Sequence, residues 1–521
     1  MRHDACCVTA TSLASFLRSD VPSALPVPDP IAALKASASG TLATYVASCL
    51  SAEDADALHV DAARELLRDL MRPVARIDTV PLLQALGRTL FAPILAPMDV
   101  PRFDNAAMDG YAFDGTLLEA TPTPGTLTLT VIGNVHAGHP LSRTVSTGEC
   151  ARVMTGAPMP PGTDTLIPHE YATPATSESM SSLAVSGHAI KSPAAASGLP
   201  QVMLSTADFR KGANRRLIGE DVRCGQVVFE AGRILRAPDL GILASLGIAT
   251  VQVRAKLRVA FFSTGDELHP VGDALPPGGL YDSNRYTLYG MLTRLGAEPI
   301  DLGVVRDDPA ALAQALARAA ECADAVISSG GVSAGDADFV RDVFKSVGDI
   351  VFWKLAMRPG RPFAFGLLTG PSNADTDTAI PFFGLPGNPV AVVASFHHIV
   401  RDALLAAMGA APSRPPHVRA RVTMPIRKRP GRTEFARGIA HRHETSMVRG
   451  NTLAPFVDAS SDDTPAAMPG DDEWQVTLTG AQGSGVLSSM SKGNCFIILP
   501  HERADLQTGD WVDIVFFEGE I

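Results

Sequence analysis

Between residues 255 and 410, short apolar runs alternate with amphipathic stretches. LRVAFFS (257–263) is a continuous apolar run of strand length, and RYTLYGMLTRLG (285–296) places Leu288, Met291, Leu292 and Leu295 on one helical face. The rhythm continues through EPIDLGVV (strand), PAALAQALARAAECA (helix), DAVISS (strand), DADFVRDVFKSVG (helix), IVFWKLAM (strand), PFFGLPG (strand) and PVAVVASFHHIVRDALLAAM (helix). Strands separated by helices predict a parallel, doubly wound α/β sheet covered on both faces.

The flanks have other patterns. Residues 1–52 are rich in Ala, Ser and Pro with weak periodicity and are expected to form a poorly ordered extension. Helical patterning follows in ADALHVDAARELLRDLM and VPLLQALGRTLF, so 53–105, together with 213–254, is assigned to a discontinuous linker domain. Residues 106–212 carry short β-rich pieces such as TLTLTVIG between Pro/Gly turns, predicting a small β domain; 173–206 within it reads as a polar insertion. Residues 411–521 end in the strands CFIILP and DWVDIVFF, a second small β domain with a polar insertion near 457–472.

Composition narrows the class. A chain of 521 residues exceeds one ordinary core. The net charge of −11 and the lack of a dense Lys/Arg stripe argue against a nucleic-acid binder. The seven cysteines are scattered with no C-x-x-C pair, which predicts neither a disulfide framework nor a cysteine zinc site. With no apolar run of membrane-spanning length and no apolar signal core near the N-terminus, a cytoplasmic, membrane-free protein is expected.

Candidate chemistry collects at the carboxyl ends of the α/β strands, where open sheets bind ligands. Thr264-Gly265-Asp266-Glu267 follows the first strand, and Arg306-Asp307-Asp308 follows the second. Gly330-Gly331-Val332-Ser333-Ala334-Gly335-Asp336-Ala337-Asp338 follows DAVISS, and Gly384-Leu385-Pro386-Gly387-Asn388-Pro389 follows PFF. Any one acidic strand end is usually only a helix cap; four on one edge predict a site. Two carboxylates about 4 Å apart repel by roughly 4 kcal/mol at an effective dielectric near 20, which a divalent cation such as Mg²⁺ would reverse. Glycine N–H groups and Ser333 suit a phosphate. Lys354, Arg358 and Arg361 in WKLAMRPGRPFAF bring positive charge, with Lys354 and Arg358 expected on one face of a strand.

Three further motifs stand outside this region. FDNAAMDGYAF carries Asp104 and Asp109, TGAPMPPGTD begins with Thr155, and NRRLIGEDV carries Arg215, Arg216, Glu220 and Asp221. Taken alone, a structural turn explains the first better and a plain loop the second, while a surface charge run explains the third equally well. His397-His398 and the HRH at 441–443 lack metal-ligand spacing, and neither a G-x-S-x-G elbow nor a Walker loop is present.

Together, PRFDNAAMDGYAF, ARVMTGAPMPPGTD, NRRLIGEDV, FSTGDEL, YDSNR, VVRDDP, SSGGVSAGDADFV, WKLAMRPGRPFAF, GLPGNPV and GSGVLSS resemble, in order, the molybdopterin molybdotransferase family, which includes the E domain of gephyrin. The resemblance implies an elongated, four-domain, homodimeric subunit whose α/β domain binds molybdopterin, with 53–105 and 213–254 serving dimerisation and the site shared between subunits. It implies insertion of molybdate into adenylylated molybdopterin with Mg²⁺ and release of AMP. The motif carboxylates fall on Asp109, Asp221, Glu267, Asp307 and Asp338, with Lys354 and Thr155 as motif lysine and threonine. Glu267, Asp307 and Asp338 are expected to bind metal or position substrate. Lys354, Arg358 and Arg361 are expected to hold molybdate or phosphate, and Ser333 with the Gly330-Gly331 backbone the pterin phosphate. Ser283, Pro386, Gly387 and Asn388 complete the expected substrate contacts. The chain departs from the family where Arg358 and Arg361 replace the lysines of Lys-Pro-Gly-Lys-Pro, and where Ala391 replaces a serine. Rival readings are a molybdopterin adenylyltransferase, a non-catalytic scaffold and a degenerate metal-binding paralogue. The MDGYA, TGAPMP and GED segments oppose the first.

Overall fold

The computed structural model describes residues 57–121, 125–175, 199–331, 343, 347–369, 379–442 and 473–517. Ser333, Asp336, Asp338 and most of the helix expected over 336–348 lie outside them. The chain divides into two compact units, Asp78–Val253 and the remainder.

The larger unit is built on a six-stranded sheet in the order Glu298–Val305, Arg258–Thr264, Ala325–Ser329, Ala379–Leu385, Pro362–Thr369, Gly348–Lys354. The first four strands pair in parallel. The last two join antiparallel to the edge, so the sheet is mixed where a parallel one was expected. The connection from Lys354 to Pro362 is too short for the crossover that a parallel neighbour requires. PFAFGLLT, not read as a strand from sequence, is therefore the return arm of a hairpin.

Alternation along the central strand fixes its two faces. Ala260 and Phe262 meet Val326, Phe382 and the helix Pro309–Cys322 through Leu312, Leu316 and Ala319. That helix starts on Pro309 after Asp308, whose carboxylate accepts the Ala311 N–H at 2.9 Å. The helical run Pro389–Ala407 is long and apolar enough to cross a membrane by length and composition, yet 83% of its apolar window is buried in the fold, as in a core helix. It contains a π-turn at Phe396–Val400. The helix Val60–Leu70 packs on its C-terminal half, with Arg64 Nε donating to the His398 carbonyl at 2.9 Å.

A second sheet closes into a small barrel. Val418–Val422, Thr433–Arg442, Trp474–Leu478, Cys495–Leu499 and Trp511–Phe516 surround Ala420, Val476, Ile497 and Ile514. Its extra edge is Met357–Arg358, paired with Thr433–Glu434. IVFWKLAM is thus not one strand. It leaves the α/β sheet at Lys354 and enters the barrel sheet at Met357, which separates Lys354 and Arg358 between two sheets.

The smaller unit carries a six-stranded sheet in the order Thr165–Pro168, Gly110–Phe113, Glu149–Val153, Thr126–Val135, Gln201–Ser205, Ala172–Pro174. Gln201–Ser205 falls inside 173–206 and Ala172–Pro174 runs into it, so the expected insertion begins and ends in sheet; Val202 and Leu204 point into a core with Leu127 and Phe113. VPLLQALGRTLF, expected to be helical, is instead the end of the strand Ile77–Pro81 followed by a 3-10 turn, Leu82–Gln84. Pro81 and Gly87 bracket too few residues for a helix, and Leu83 remains 89% exposed rather than joining an apolar face. Among the described residues, Cys150, Cys224, Cys322 and Cys495 are free thiols; burial pushes Cys495 up to about 12, leaving it unreactive.

Candidate active site

The strand Arg258–Thr264 lies between the strand that follows it in sequence, Glu298–Val305, and the next, Ala325–Ser329. The chain reverses its direction of sheet growth there, creating the crevice that open α/β sheets use for ligands. Its floor is glycine. Gly330 (φ 94°) and Gly331 (φ 69°) turn left-handed after Ser329, and a Cβ on Gly330 would stand 2.6 Å from the Thr264 carbonyl oxygen and 2.8 Å from Thr264 Oγ1. Only glycine combines that backbone with that approach. A Cβ on Gly387 would lie 3.8 Å from Gly330 Cα, which brings the GLPGN turn to the same place.

YDSNR supplies the side chains beneath. Asp282, 1% exposed, accepts from Ser263 Oγ at 3.0 Å and from the Arg285 N–H at 3.2 Å, anchoring the helix Asn284–Leu295. Asn284 donates to Ser329 Oγ at 2.8 Å and to the Gly387 carbonyl at 2.7 Å, tying two strand ends together. Of this motif the sequence reading selected only Ser283, which sits at the helix start with no capping bond. Asp282 and Asn284 were missed because a DSN triplet before a helix reads as an ordinary cap.

The acids sit at neighbouring strand ends. Thr264 pairs with Val305 in register, and the Asp307 N–H donates to Asp266 Oδ1 at 3.3 Å. Glu267 folds back so that its carboxylate faces Gly265, whose Cβ would come within 2.7 Å of Oε2. Among the described residues no three potential ligands are close enough to hold a metal ion. Asp338, assigned with Glu267 and Asp307 to Mg²⁺, falls outside them.

The cations form a loop. The Leu355 N–H donates to the Arg361 carbonyl at 2.7 Å, which brings Lys354 and Arg361 side by side in the backbone, both exposed. Gly360 (φ 103°) packs against Ser395 of the core helix. Arg358 points to Glu434 at 3.6 Å, and Arg432 shares that carboxylate at 3.5 Å, so Arg358 is partly neutralised.

A further group comes from the barrel. Arg437 is 1% exposed; its guanidinium donates to Ser489 Oγ at 3.0 Å and to the Gly483 carbonyl at 3.0 Å. Burial, then nearby Arg358, lowers its pKa. The loop it holds presents the Ser484 carbonyl to the Val390 N–H at 3.0 Å, beside Asn388 at the start of the core helix. Asn388 itself is exposed and makes no cap. Pro386 is buried and its carbonyl accepts from Ser329 Oγ at 3.5 Å. Ala391, where the resembled family carries a serine, is 2% exposed, so its side chain packs inward.

In the smaller unit, the motifs FDNAAMDGYAF, TGAPMPPGTD and NRRLIGEDV converge. Ala106 pairs with Arg215 and exchanges backbone bonds with Gly156 and Ala157. Asp109 Oδ1 accepts both the Thr155 hydroxyl at 2.6 Å and the Thr155 N–H at 2.7 Å. The hydroxyl first, then the amide, hold the exposed carboxyl below its ordinary range, with His169 and Arg152 adding attraction. Asp221 is held separately, its N–H on the Val100 carbonyl at 3.0 Å.

Three family descriptions match the chain: the MoeA N-terminal region (domain I and II) over 58–247, the probable molybdopterin binding domain over 260–406, and the MoeA C-terminal region (domain IV) over 465–517. A molybdopterin molybdenumtransferase of Haemophilus influenzae is 36% identical over 88% of this chain and 98% of its own length. Molybdopterin molybdenumtransferase 2 of Mycobacterium tuberculosis is 34% identical over 75% of this chain and 89% of its own. The crystal structure of the molybdopterin biosynthesis moeA protein of Pyrococcus horikoshii is similar at a TM-score of 0.66 and 26% identity, covering 89% of this chain and all of that one.

Proposed function

The chain belongs to the MoeA family of molybdopterin molybdenumtransferases, and we infer from this that it inserts molybdenum into molybdopterin during molybdenum cofactor biosynthesis. The observation that supports the reading best is the glycine-floored crevice at the reversal of the sheet, bordered in the same unit by the acidic turns after Thr264 and Val305. The substrates we propose are molybdate and adenylylated molybdopterin, with AMP as the second product.

In this reading the Gly330-Gly331 backbone, with Ser333, Pro386, Gly387 and Asn388, holds the pterin phosphate, and Ser283 lines the same crevice. Lys354 and Arg361 attract molybdate, and Arg358 contributes less because Glu434 opposes it. Fixed cations and backbone donors stabilise negative charge that develops as the phosphoanhydride breaks, with no covalent intermediate. Asp109, held ionised by Thr155, and Asp221 act as the carboxylates of the smaller unit. Mg²⁺ would neutralise phosphate charge, and Glu267, Asp307 and Asp338 are the residues proposed to hold it. Among the described residues, the carboxylates alone do not make that site. We also propose a homodimer with a site drawn from both subunits, acting in the cytoplasm.

The test supplies adenylylated molybdopterin, Mg²⁺ and molybdate and measures AMP. Molybdate-dependent AMP release is expected; its absence overturns the reading. Formation of adenylylated pterin from ATP would favour the adenylyltransferase.

A further inference from the structure

IRKRPGR, at 426–432, gathers Arg427, Lys428, Arg429 and Arg432 in a chain whose net charge is −11, and these cations have different surroundings. Arg427 and Arg429 are exposed. Lys428 is buried, and its ammonium donates to the carbonyls of Arg503 at 2.8 Å, Arg429 at 3.2 Å and His501 at 3.3 Å. The Gly431 N–H donates to the same His501 carbonyl at 3.0 Å, so the turn that carries Arg432 is anchored. Arg432 Nε then stands 3.5 Å from Glu434 Oε1, while Arg358 Nη1 stands 3.6 Å from Oε2 of the same carboxylate. The parallel register of Met357–Arg358 on Thr433–Glu434 sets Arg358 opposite Glu434 and fixes this triad.

Two guanidiniums divide one buried carboxylate, so two positive charges meet one negative charge and a positive charge is left over. Both separations exceed an N–H···O hydrogen bond, so charge holds the pairs and the donors stay available. The two arginines differ in access, Arg358 being exposed and Arg432 half-buried. A buried carboxylate demands a counter-charge. Facing Arg358 alone, Glu434 would hold it firmly, and an oxyanion would have to compete with that carboxylate for the guanidinium. We propose that Arg432 is a positioning residue for molybdate: it satisfies Glu434 from one side and so leaves the exposed Arg358 guanidinium to the incoming dianion. This rests on the molybdenumtransferase reading, with Arg358 among its cations.

The experiment follows molybdate-dependent AMP release by the full chain and reads the molybdate KM, kcat and the denaturation midpoint of each variant. Arg432→Gln should raise the molybdate KM about threefold to tenfold, the scale of coupling between charges in contact, and leave kcat within about twofold. Arg432→Lys keeps the charge and should hold KM within about twofold of the wild type. Glu434→Gln removes the competing carboxylate. In that background Arg432→Gln should move KM by less than about twofold, a coupling that a purely structural role would not produce. An equal rise in KM in both backgrounds would make Arg432 a direct ligand contact and overturn the proposal. So would a KM unchanged in Arg432→Gln, losses confined to kcat and the midpoint, or a KM in Arg432→Lys as high as in Arg432→Gln. The Arg432 variants decide this even if Glu434→Gln does not fold. Absence of AMP release from the wild type would instead sink the molybdenumtransferase reading.

Discussion

Asn284 in the larger unit and Asp109 in the smaller one each make two short hydrogen bonds through a single side-chain atom. Asn284 is 8% exposed and Asp109 stands in solvent. The difference teaches what each can be asked to do. A buried amide fixes the spacing of two backbone turns, because water cannot compete for its two donated bonds. An exposed carboxylate fixes little. Its bonds to Thr155 serve to keep the charge present and aimed. The same contrast divides the rest of the chain: Arg437 and His398 are buried scaffold, whereas Lys354 and Arg361, the cations proposed for the chemistry, are exposed.

If that division is right, substitutions should separate activity from stability. Lys354→Ala has the largest expected effect on turnover, a loss of about 100- to 1000-fold as for removal of one fixed electrostatic donor, with the denaturation midpoint unchanged. A large fall in the midpoint would place Lys354 in the scaffold instead. Arg437→Met should do the reverse first. It strands the Gly483 and Ala481 carbonyls in the barrel and should cost about 2–4 kcal/mol of unfolding free energy, read by urea titration at constant slope. Turnover should fall as well, because the loop carrying Ser484 loses its anchor. Full stability with lost activity would make Arg437 a direct ligand contact.

How much of this was legible beforehand followed physical lines. The strands and helices of the α/β sheet carry strong periodicities, and the strand ends fell where the apolar runs stop. The crevice was legible through Gly330, Gly331 and Gly387, because glycine at a strand end signals a backbone that only glycine can adopt. Asn284 was not, since nothing in YDSNR distinguishes a capping residue from one that bridges two distant loops. Arg437 was not either: a single arginine in an alternating strand reads as solvent-facing, and only the closed barrel buries it. The hairpin Gly348–Thr369 was hidden because WKLAMRPGRP was read for charge, although its Pro-Gly turn already limited the next strand to an antiparallel neighbour. VPLLQALGRTLF misled in the opposite direction: its leucines have helical spacing, but Leu82 and Leu90 reach the core from a 3-10 turn and extended chain while Leu83 and Leu86 stay exposed.

His398 tests the buried side of the comparison through pH. Burial foremost, then His397, Arg64 and His417, hold its pKa well below the ordinary 6.5, and its ring lies flat on Phe435 at 3.7 Å. The unfolded chain then binds a proton that the folded chain refuses. Stability from this group is complete above about pH 6.5 and falls with pH below it, by about 1.4 kcal/mol per unit until the folded pKa is reached. His398→Phe keeps the stack and removes the proton site, so the unfolding free energy between pH 6.5 and 5 should decline less steeply than in the wild type. Parallel declines would show that His398 is hydrated.

Thr155→Val should have the smallest effect and is the sharpest probe of the exposed side. Valine preserves the branched shape and the backbone N–H to Asp109 but deletes the hydroxyl, the larger cause of the lowered pKa. The Asp109 carboxyl should therefore rise toward its ordinary value of 3.8, seen by NMR titration. The sign follows from linkage: a lowered folded pKa stabilises above the unfolded value and the benefit fades as pH falls through the folded one, so the variant gives up a little stability at neutral pH and none in strong acid. Because the carboxylate is open to water, the midpoint should scarcely move, and turnover should fall less than about tenfold at neutral pH, where Asp109 stays ionised in both proteins. A loss as large as that of Lys354→Ala would mean that the Thr155 hydroxyl itself contacts the substrate, and the division between exposed charge and buried scaffold would have to be redrawn at that turn.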